Sequence, residues 1–298
     1  MTGDGYAHPE ALVGTEWLAH HLDDGTLRVV EVDEDTGAYE RGHLPGAIGW
    51  SWTTDLHSPV GRDYVDRAGV EHLLRAAGVE DDTTVVLYGG NDNWFAAYGY
   101  WLLRLRGFGP VRLLDGGRKK WELEGRELTE EVMDYQHSTY RLAGPEHPEV
   151  RALRDEVLAK AEVFAKPGSD AVLVDVRSPA EYRGEALAPP HLPQEQAQVP
   201  GHIPGAVNIP WSRAANEDGT FRSAEELRAL YGGEGVEPER EVIAYCRIGE
   251  RSAHTWFALT ELLGYPHVKN YDGSWTEYGS LVRAPVALGS QGARPYGE

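Results

Sequence analysis

The sequence predicts an α/β protein in which one small strand–helix domain is built twice. Three observations carry that prediction. The block Gly42-His43-Leu44-Pro45-Gly46-Ala47 returns as Gly201-His202-Ile203-Pro204-Gly205-Ala206. A constant shift of 157 places Val85-Val86-Leu87-Tyr88 on Val242-Ile243-Ala244-Tyr245, Leu102 on Leu259, Leu105 on Leu262, Gly107 on Gly264 and Asp115-Gly116 on Asp272-Gly273. In both halves, short β-branched runs alternate with helical stretches, the pattern of an α/β domain.

Taken in order, the first strand of each half is Val29–Asp33 and Val172–Arg177, and the next matched strands are Val85–Tyr88 and Val242–Tyr245. All are apolar almost throughout, as strands buried on both faces of a parallel sheet are. A helix is expected from at or just after Ser252, with Trp256, Leu259 and Leu263 on one stripe and Gly264 as its stop. The boundaries follow: a first domain over 1–128, a polar linker over 129–149 interrupted by Gly144-Pro145 and Pro148, a second domain over 150–285, and a Gly/Ser/Arg/Pro tail over 286–298. Aligning Tyr39 with Tyr182 and Gly42 with Gly201 leaves 16 extra residues in the second copy, among them Pro189-Pro190-His191-Leu192-Pro193. An insertion there is expected to form a lid or access wall, with His191 on a rigid surface loop.

The 298 residues suit two domains, and 41% hydrophobic residues suffice for two cores. A formal net charge of -20 should repel nucleic acid and anionic membrane surfaces, so neither is expected as a partner. No secretory signal is visible in Met1–Gly5 and no apolar run approaches a membrane span, so a cytoplasmic protein is expected. The single cysteine, Cys246, allows no internal disulfide, which fits a reducing compartment. It also allows no multi-cysteine zinc site, and the histidines show no ligand spacing, so no metal is expected.

Cys246 closes the strand Val242–Tyr245 and opens the loop Cys246-Arg247-Ile248-Gly249-Glu250-Arg251, with Ser252 next. Ligands of an open parallel sheet bind beyond the carboxyl ends of its strands. A loop curling into a helix N-terminus points backbone N–H groups at one spot. With Arg247 and Arg251 nearby, this array is expected to lower the cysteine's pKa and favour the thiolate. A lone free cysteine is more often a small buried hydrophobe. That account leaves two arginines and a glycine at the strand mouth unexplained. Spacing separates the chemistries: a tyrosine-phosphatase loop needs C-x5-R, whereas the second arginine here gives C-x4-R. Phosphate hydrolysis is therefore a minor alternative.

The tandem layout, the Gly-His-Ile-Pro-Gly-Ala block at 201–206, the strand end Asp175-Val176-Arg177, the Cys246 loop and Tyr271-Asp272-Gly273-Ser274-Trp275 together resemble the two-domain rhodaneses, the thiosulfate and 3-mercaptopyruvate sulfurtransferases. The resemblance implies two similar domains, each a mainly parallel five-stranded sheet flanked by helices, with only the C-terminal copy catalytic. In the first copy Gly89 stands at the place of Cys246 and Asp33 at that of Arg177, which agrees. It further implies that Cys246 takes the outer sulfur of thiosulfate, releases sulfite and holds a persulfide for an acceptor such as cyanide, thioredoxin or another thiol. No metal or organic cofactor is needed.

Arg177, Arg247 and Arg251 are then the expected partners of an anionic donor; Arg177 has the alternative of a salt bridge to Asp175 or Glu181. Ile248, Gly249, Glu250 and Ser252 complete the loop, and Asp175, Trp211 and Trp275 are candidates to line the cleft. His254 is expected to be a packed or capping residue. Glu250 is awkward in an anion site and is expected to face outward or to orient Arg251. Thiosulfate enzymes of the resembling family carry Cys-Arg-Lys-Gly-Val-Thr and mercaptopyruvate enzymes Cys-Gly-Ser-Gly-Val-Thr. Arg247 leans this loop toward thiosulfate, while Ile248, Glu250 and Arg251 depart from both patterns. The alternatives are 3-mercaptopyruvate as donor, or a persulfide carrier with little turnover.

Overall fold

The computed structural model describes residues 5–164, 166, 168–189 and 196–289. The chain divides into two compact units, one of His8–Pro148 with Ala215–Phe221, the other of Gly5–Ala7, Glu149–Ala214 and the chain from Arg222 onward.

In the first unit the elements run β1 (Leu12–Val13), α1 (Thr15–His21), β2 (Leu27–Glu31), β3 (Ala47–Gly49), α2 (Arg67–Ala76), β4 (Thr84–Tyr88), α3 (Trp94–Leu105), β5 (Val111–Leu114) and α4 (Gly117–Leu123). The second runs β6 (Arg151–Ala152), α5 (Arg154–Phe164), β7 (Ala171–Asp175), α6 (Pro179–Arg183), β8 (Val207–Asn208), α7 (Ala224–Gly232), β9 (Glu241–Tyr245), α8 (Glu250–Phe257), β10 (Val268–Tyr271) and α9 (Ser274–Tyr278), repeating the series with α6 in place of the 3-10 turn Tyr39–Arg41. Each unit holds a five-stranded sheet, in the orders β1-β5-β4-β2-β3 and β6-β10-β9-β7-β8. Every ladder is parallel. The apolar runs of β7 and β9 are buried because helices cover both faces of such a sheet. Each unit packs its own core, around Leu18, Val29, Leu44 and Val86 in the first and Val157, Leu173, Ile203 and Ile243 in the second.

The repeated Gly-His-x-Pro-Gly-Ala block has a physical reason. His43 stacks on Tyr39 at 3.8 Å and His202 on Tyr182 at 3.6 Å, ring centroid to centroid. Each histidine donates from Nδ1 to its tyrosine's carbonyl, at 2.9 and 2.7 Å. Each tyrosine hydroxyl closes the turn by donating to Ala47 O at 2.9 Å or Ala206 O at 2.8 Å. The preceding glycines sit at φ +140 and +118, where a side chain is strained.

The stretch expected to be a linker has no helix or strand over 129–147, yet it lies against the first unit. Thr129 and His43 exchange backbone hydrogen bonds at 2.8 Å, and Tyr135 donates to Gly46 O at 2.9 Å. The expected tail starts inside an ordered contact: Ala287 is 1% exposed and exchanges backbone bonds with His202 at 3.0 Å, as Thr129 does with His43. Residues 290–298 of that tail, and Pro190, His191, Leu192 and Pro193 of the insertion, lie outside the described residues.

Asp115 of the first unit accepts the Phe221 N–H at 2.9 Å, and burial outweighs that bond, pushing the carboxyl up to about 7. An unfolded aspartate titrates near 4, so between about pH 4 and pH 7 the folded chain holds a proton that the unfolded chain has lost. This contribution to stability is full below about pH 4 and falls as pH rises to about 7. Asp115→Asn keeps the acceptor and removes the titration. Thermal melts should find it as stable as the native chain near pH 4 and more stable by roughly 1–3 kcal/mol near pH 8; equal melts at both would refute the assignment.

Candidate active site

β9 and β7 lie side by side with Tyr245 opposite Asp175, and the connections leaving them run to opposite edges of the sheet. Cys246 and Arg177 therefore follow the two strand ends at the switch point, where an open α/β sheet forms its crevice. The loop after Cys246 is held from three sides. The Cys246 N–H donates to Ser274 Oγ at 3.0 Å, Trp275 N–H to Cys246 O at 3.1 Å and Thr276 N–H to Arg247 O at 3.1 Å. Asn270 Nδ2 donates to Gly249 O at 3.0 Å, and Ser252 Oγ donates to Asn270 Oδ1 at 2.6 Å. Gly249 turns the chain at φ +101, and α8 begins at Glu250, two residues earlier than the sequence suggests. All eight residues of α8 are buried, where a single stripe was expected.

The sulfur of Cys246 is fully buried. Gly249 N–H donates to Sγ at 3.1 Å, and the thiol donates to Glu250 Oε2 at 3.2 Å. Ile248 N–H reaches that same Oε2 at 3.2 Å. The expectation that Glu250 faces outward is corrected: it is 0% exposed. Its Oε1 lies 3.7 Å from Arg247 Nη2 and 3.7 Å from Arg251 Nε, while the fork that orients Arg251 comes from Glu181. The lowered thiol pKa is corrected as well. Burial pushes the Cys246 thiol up, the Glu250 carboxylate adds to this, and Arg251 and Ser252 pull the other way without prevailing.

The arginines are matched by carboxylates. Arg251 makes a forked pair with Glu181 of α6, Nη1–Oε2 at 2.9 Å and Nη2–Oε1 at 3.0 Å. Burial would raise the Glu181 carboxyl, but the charge and hydrogen bonds of Arg251 hold it at about 2. Arg177 takes the salt bridge to Asp175, with Nε–Oδ1 at 3.0 Å and Nη2–Oδ2 at 2.6 Å, both residues 0% exposed. Its Nη2 also donates to Gly201 O at 2.7 Å, and the guanidinium lies 4.8 Å from the Trp275 ring. Against Arg177, Arg247 and Arg251 stand Asp175, Glu181 and Glu250, so these six groups carry no net charge. The surplus of positive charge expected for a dianion is not found among them.

Trp275 is buried and donates from Nε1 to Val199 O at 3.1 Å. Trp211 is half-buried, its ring edge-on to His254 at 5.2 Å. His254 is packed as expected, and burial holds its pKa down to about 3, which keeps it neutral. Sequence reasoning missed Asn270, named Glu181 only as a partner of Arg177, and named Ser274 only within the Tyr271–Trp275 motif. Ser178-x-x-Glu181 is a capping-box signal, and it forms, but nothing in it points to Arg251. Among the described residues no group of three or more His, Cys, Asp or Glu could hold a metal ion.

The first unit explains why its copy lacks the thiol. A Cβ at Gly89 would lie 2.2 Å from Val32 O, a backbone atom that cannot yield cheaply. Gly89 N–H donates to Asn93 Oδ1 at 2.9 Å, and Asn91, Asp92 and Asn93 all sit at positive φ, 51, 56 and 65. In the first unit a partly buried guanidinium comes from α4 instead of the strand end: Arg118 pairs with Glu31 and donates to Gly42 O at 2.7 Å. Asp33 occupies the place of Arg177.

The family described as rhodanese-like domain matches residues 14–124 and again 160–281. A protein of Mycolicibacterium smegmatis named "Putative thiosulfate sulfurtransferase" is 56% identical over 284 residues, 95% of this chain and 100% of its own length. The sulfur carrier protein TtuD of Thermus thermophilus is 53% identical over 287 residues, 96% of this chain and all of its own. Among solved structures, EanB bearing a cysteine persulfide, with ergothioneine, superposes with a TM-score of 0.81 at 25% identity over 96% of this chain and 72% of its own. YnjE superposes at 0.80 with 27% identity, over 96% and 70%.

Proposed function

The chain belongs to the rhodanese family, and from that premise we propose that it transfers the sulfane sulfur of thiosulfate through a persulfide on Cys246 to a thiophilic acceptor. One observation carries this reading. The chain's one cysteine stands at the carboxyl end of the middle strand of its sheet, with a backbone N–H 3.1 Å from its sulfur, while the matching position in the first unit is a glycine that admits no side chain. In the proposed cycle Sγ attacks the outer sulfur, sulfite leaves, and a nucleophile such as cyanide or a dithiol then removes the sulfur. Splitting one transfer into two easier ones is covalent catalysis. Arg247, Arg251 and Arg177 are the proposed cations of the donor site. A charge pair at about 4 Å gains about 4 kcal/mol at an effective dielectric near 20, whereas the distant acidic surface is screened beyond about 10 Å. Trp211 and Trp275 are proposed to shape the cleft.

The carboxylates opposite those arginines favour a second reading. A site whose six charges cancel suits a donor bringing less charge than thiosulfate, such as a persulfide, and the similarity to a named sulfur carrier agrees. We place either reaction in the cytoplasm, where a single free thiol stays reduced. No helix among the described residues is long and apolar enough to cross a membrane.

Intact-protein mass after incubation with thiosulfate tests the first reading. The native chain should gain one sulfur atom, release an equal amount of sulfite, and return to its starting mass on adding cyanide. Loading by persulfides but not by thiosulfate would select the carrier; 3-mercaptopyruvate outrunning thiosulfate would change the donor. No sulfur from any of the three would sink both readings.

A further inference from the structure

The Cys246 thiol points its proton at a carboxylate oxygen, Glu250 Oε2, across 3.2 Å inside a closed site. We propose that Glu250 is the base that takes the Cys246 proton as the sulfur becomes nucleophilic, a step that deepens the sulfur-transfer reading above and rests on it. The carboxylate is fixed for the task. Its Oε2 also accepts the Ile248 N–H at 3.2 Å, which holds it against the sulfur. The charged groups facing the pair are Arg247 from the loop and Arg251 from α8, each 3.7 Å from Oε1, with Glu181 of α6 behind Arg251.

Atoms and charges balance in this step. The S–H bond of Cys246 breaks and an O–H bond forms on Glu250. The freed sulfur pair attacks the outer sulfur of thiosulfate, the S–S bond to the sulfonate breaks, and sulfite leaves with its electrons and both charges that the donor brought. Apart from the donor, the Cys246–Glu250 pair holds one negative charge before the step, on the carboxylate. After it the carboxyl is neutral and the anionic persulfide holds that charge. Before the donor binds and after sulfite has left, Arg247 and Arg251 thus face one unit of negative charge from this pair, and no extra buried charge remains. Releasing the proton to water would instead leave a thiolate and a carboxylate in contact.

A different role makes the opposite prediction. If Glu250 only repels the thiolate, as its share in raising the thiol pKa suggests, Glu250→Gln would leave more thiolate at neutral pH and speed the reaction. If Glu250 is the base, Gln slows it despite the extra thiolate. The experiment compares native and Glu250→Gln chains in single turnover with thiosulfate, following sulfite release across pH, while the thiolate is titrated by its ultraviolet absorbance. At neutral pH the expected loss is about 10²-fold, the low end of what a positioned base contributes. The gap should close as pH rises past the thiol's own titration. A Gln variant as fast as the native chain, or faster, would overturn the proposal. Should that variant not fold, Glu250→Asp, which keeps the charge and withdraws the carboxylate, carries the test: a native rate there overturns the proposal and a slower one upholds it. Sulfite release by neither the native chain nor any variant would instead mark failure of the underlying sulfur-transfer reading, and the proposal would fall with it.

Discussion

Cys246→Ser should take up no sulfur from thiosulfate and release no sulfite, while unfolding within about 1 kcal/mol of the native chain. The two halves of this expectation have separate causes. Serine's oxygen cannot form the persulfide link, so the covalent route is closed and no second cysteine can stand in. The hydroxyl still fits the space, accepts from Gly249 N–H and donates to Glu250 Oε2, so the buried partners of Sγ stay satisfied. Mass spectrometry after incubation reads the first half and a urea melt the second. Retained activity would place the chemistry elsewhere in the chain. Lost activity accompanied by a collapse in stability would point to a packing cysteine instead of a nucleophile.

The parts of this protein legible in the sequence are those fixed by local pattern. The Gly-His-x-Pro-Gly-Ala block betrayed the duplication because each copy needs the same stacked histidine and the same positive-φ glycine. Cys246 could be placed at a strand end because the apolar run before it stops abruptly. What spacing along one loop could not give is the company that other elements bring. Glu181 lies 70 residues before Arg251 in the chain, and only the packing of α6 against α8 makes them a forked pair. Glu250 reads as an acidic intruder in a cationic loop, and its spacing does not show that it turns inward onto the sulfur. The expected depressed thiol pKa failed for that reason. Burial and the Glu250 carboxylate raise the thiol pKa by more than Arg251 and Ser252 lower it.

Arg177→Ala should cost the second unit about 3–5 kcal/mol of stability, because it leaves Asp175 as an uncompensated buried charge. Asp175 and Arg177 are each 0% exposed, joined by Nε–Oδ1 at 3.0 Å and Nη2–Oδ2 at 2.6 Å, and the same guanidinium supplies Gly201 O with a donor at 2.7 Å. Removing it therefore orphans a carboxylate and a turn carbonyl together. The first unit supplies an internal comparison: Arg118 serves Glu31 and Gly42 O in the same way from a different element, but its side chain is 13% exposed against 0% for Arg177. Water can reach the orphaned Glu31 more readily, so Arg118→Ala should cost less. Urea unfolding followed by tryptophan emission would read the difference, since Trp275 lies 4.8 Å from the Arg177 guanidinium. A second change, Asp175→Asn on the Arg177→Ala background, removes the stranded charge and should recover part of the loss, a coupling that a pair in direct contact must show. A cost below about 1 kcal/mol for Arg177→Ala would mean that the pair is solvated in the working protein. Arg177 would then serve the anionic donor first and the fold second, and the charge balance that favours a persulfide donor would have to be redrawn.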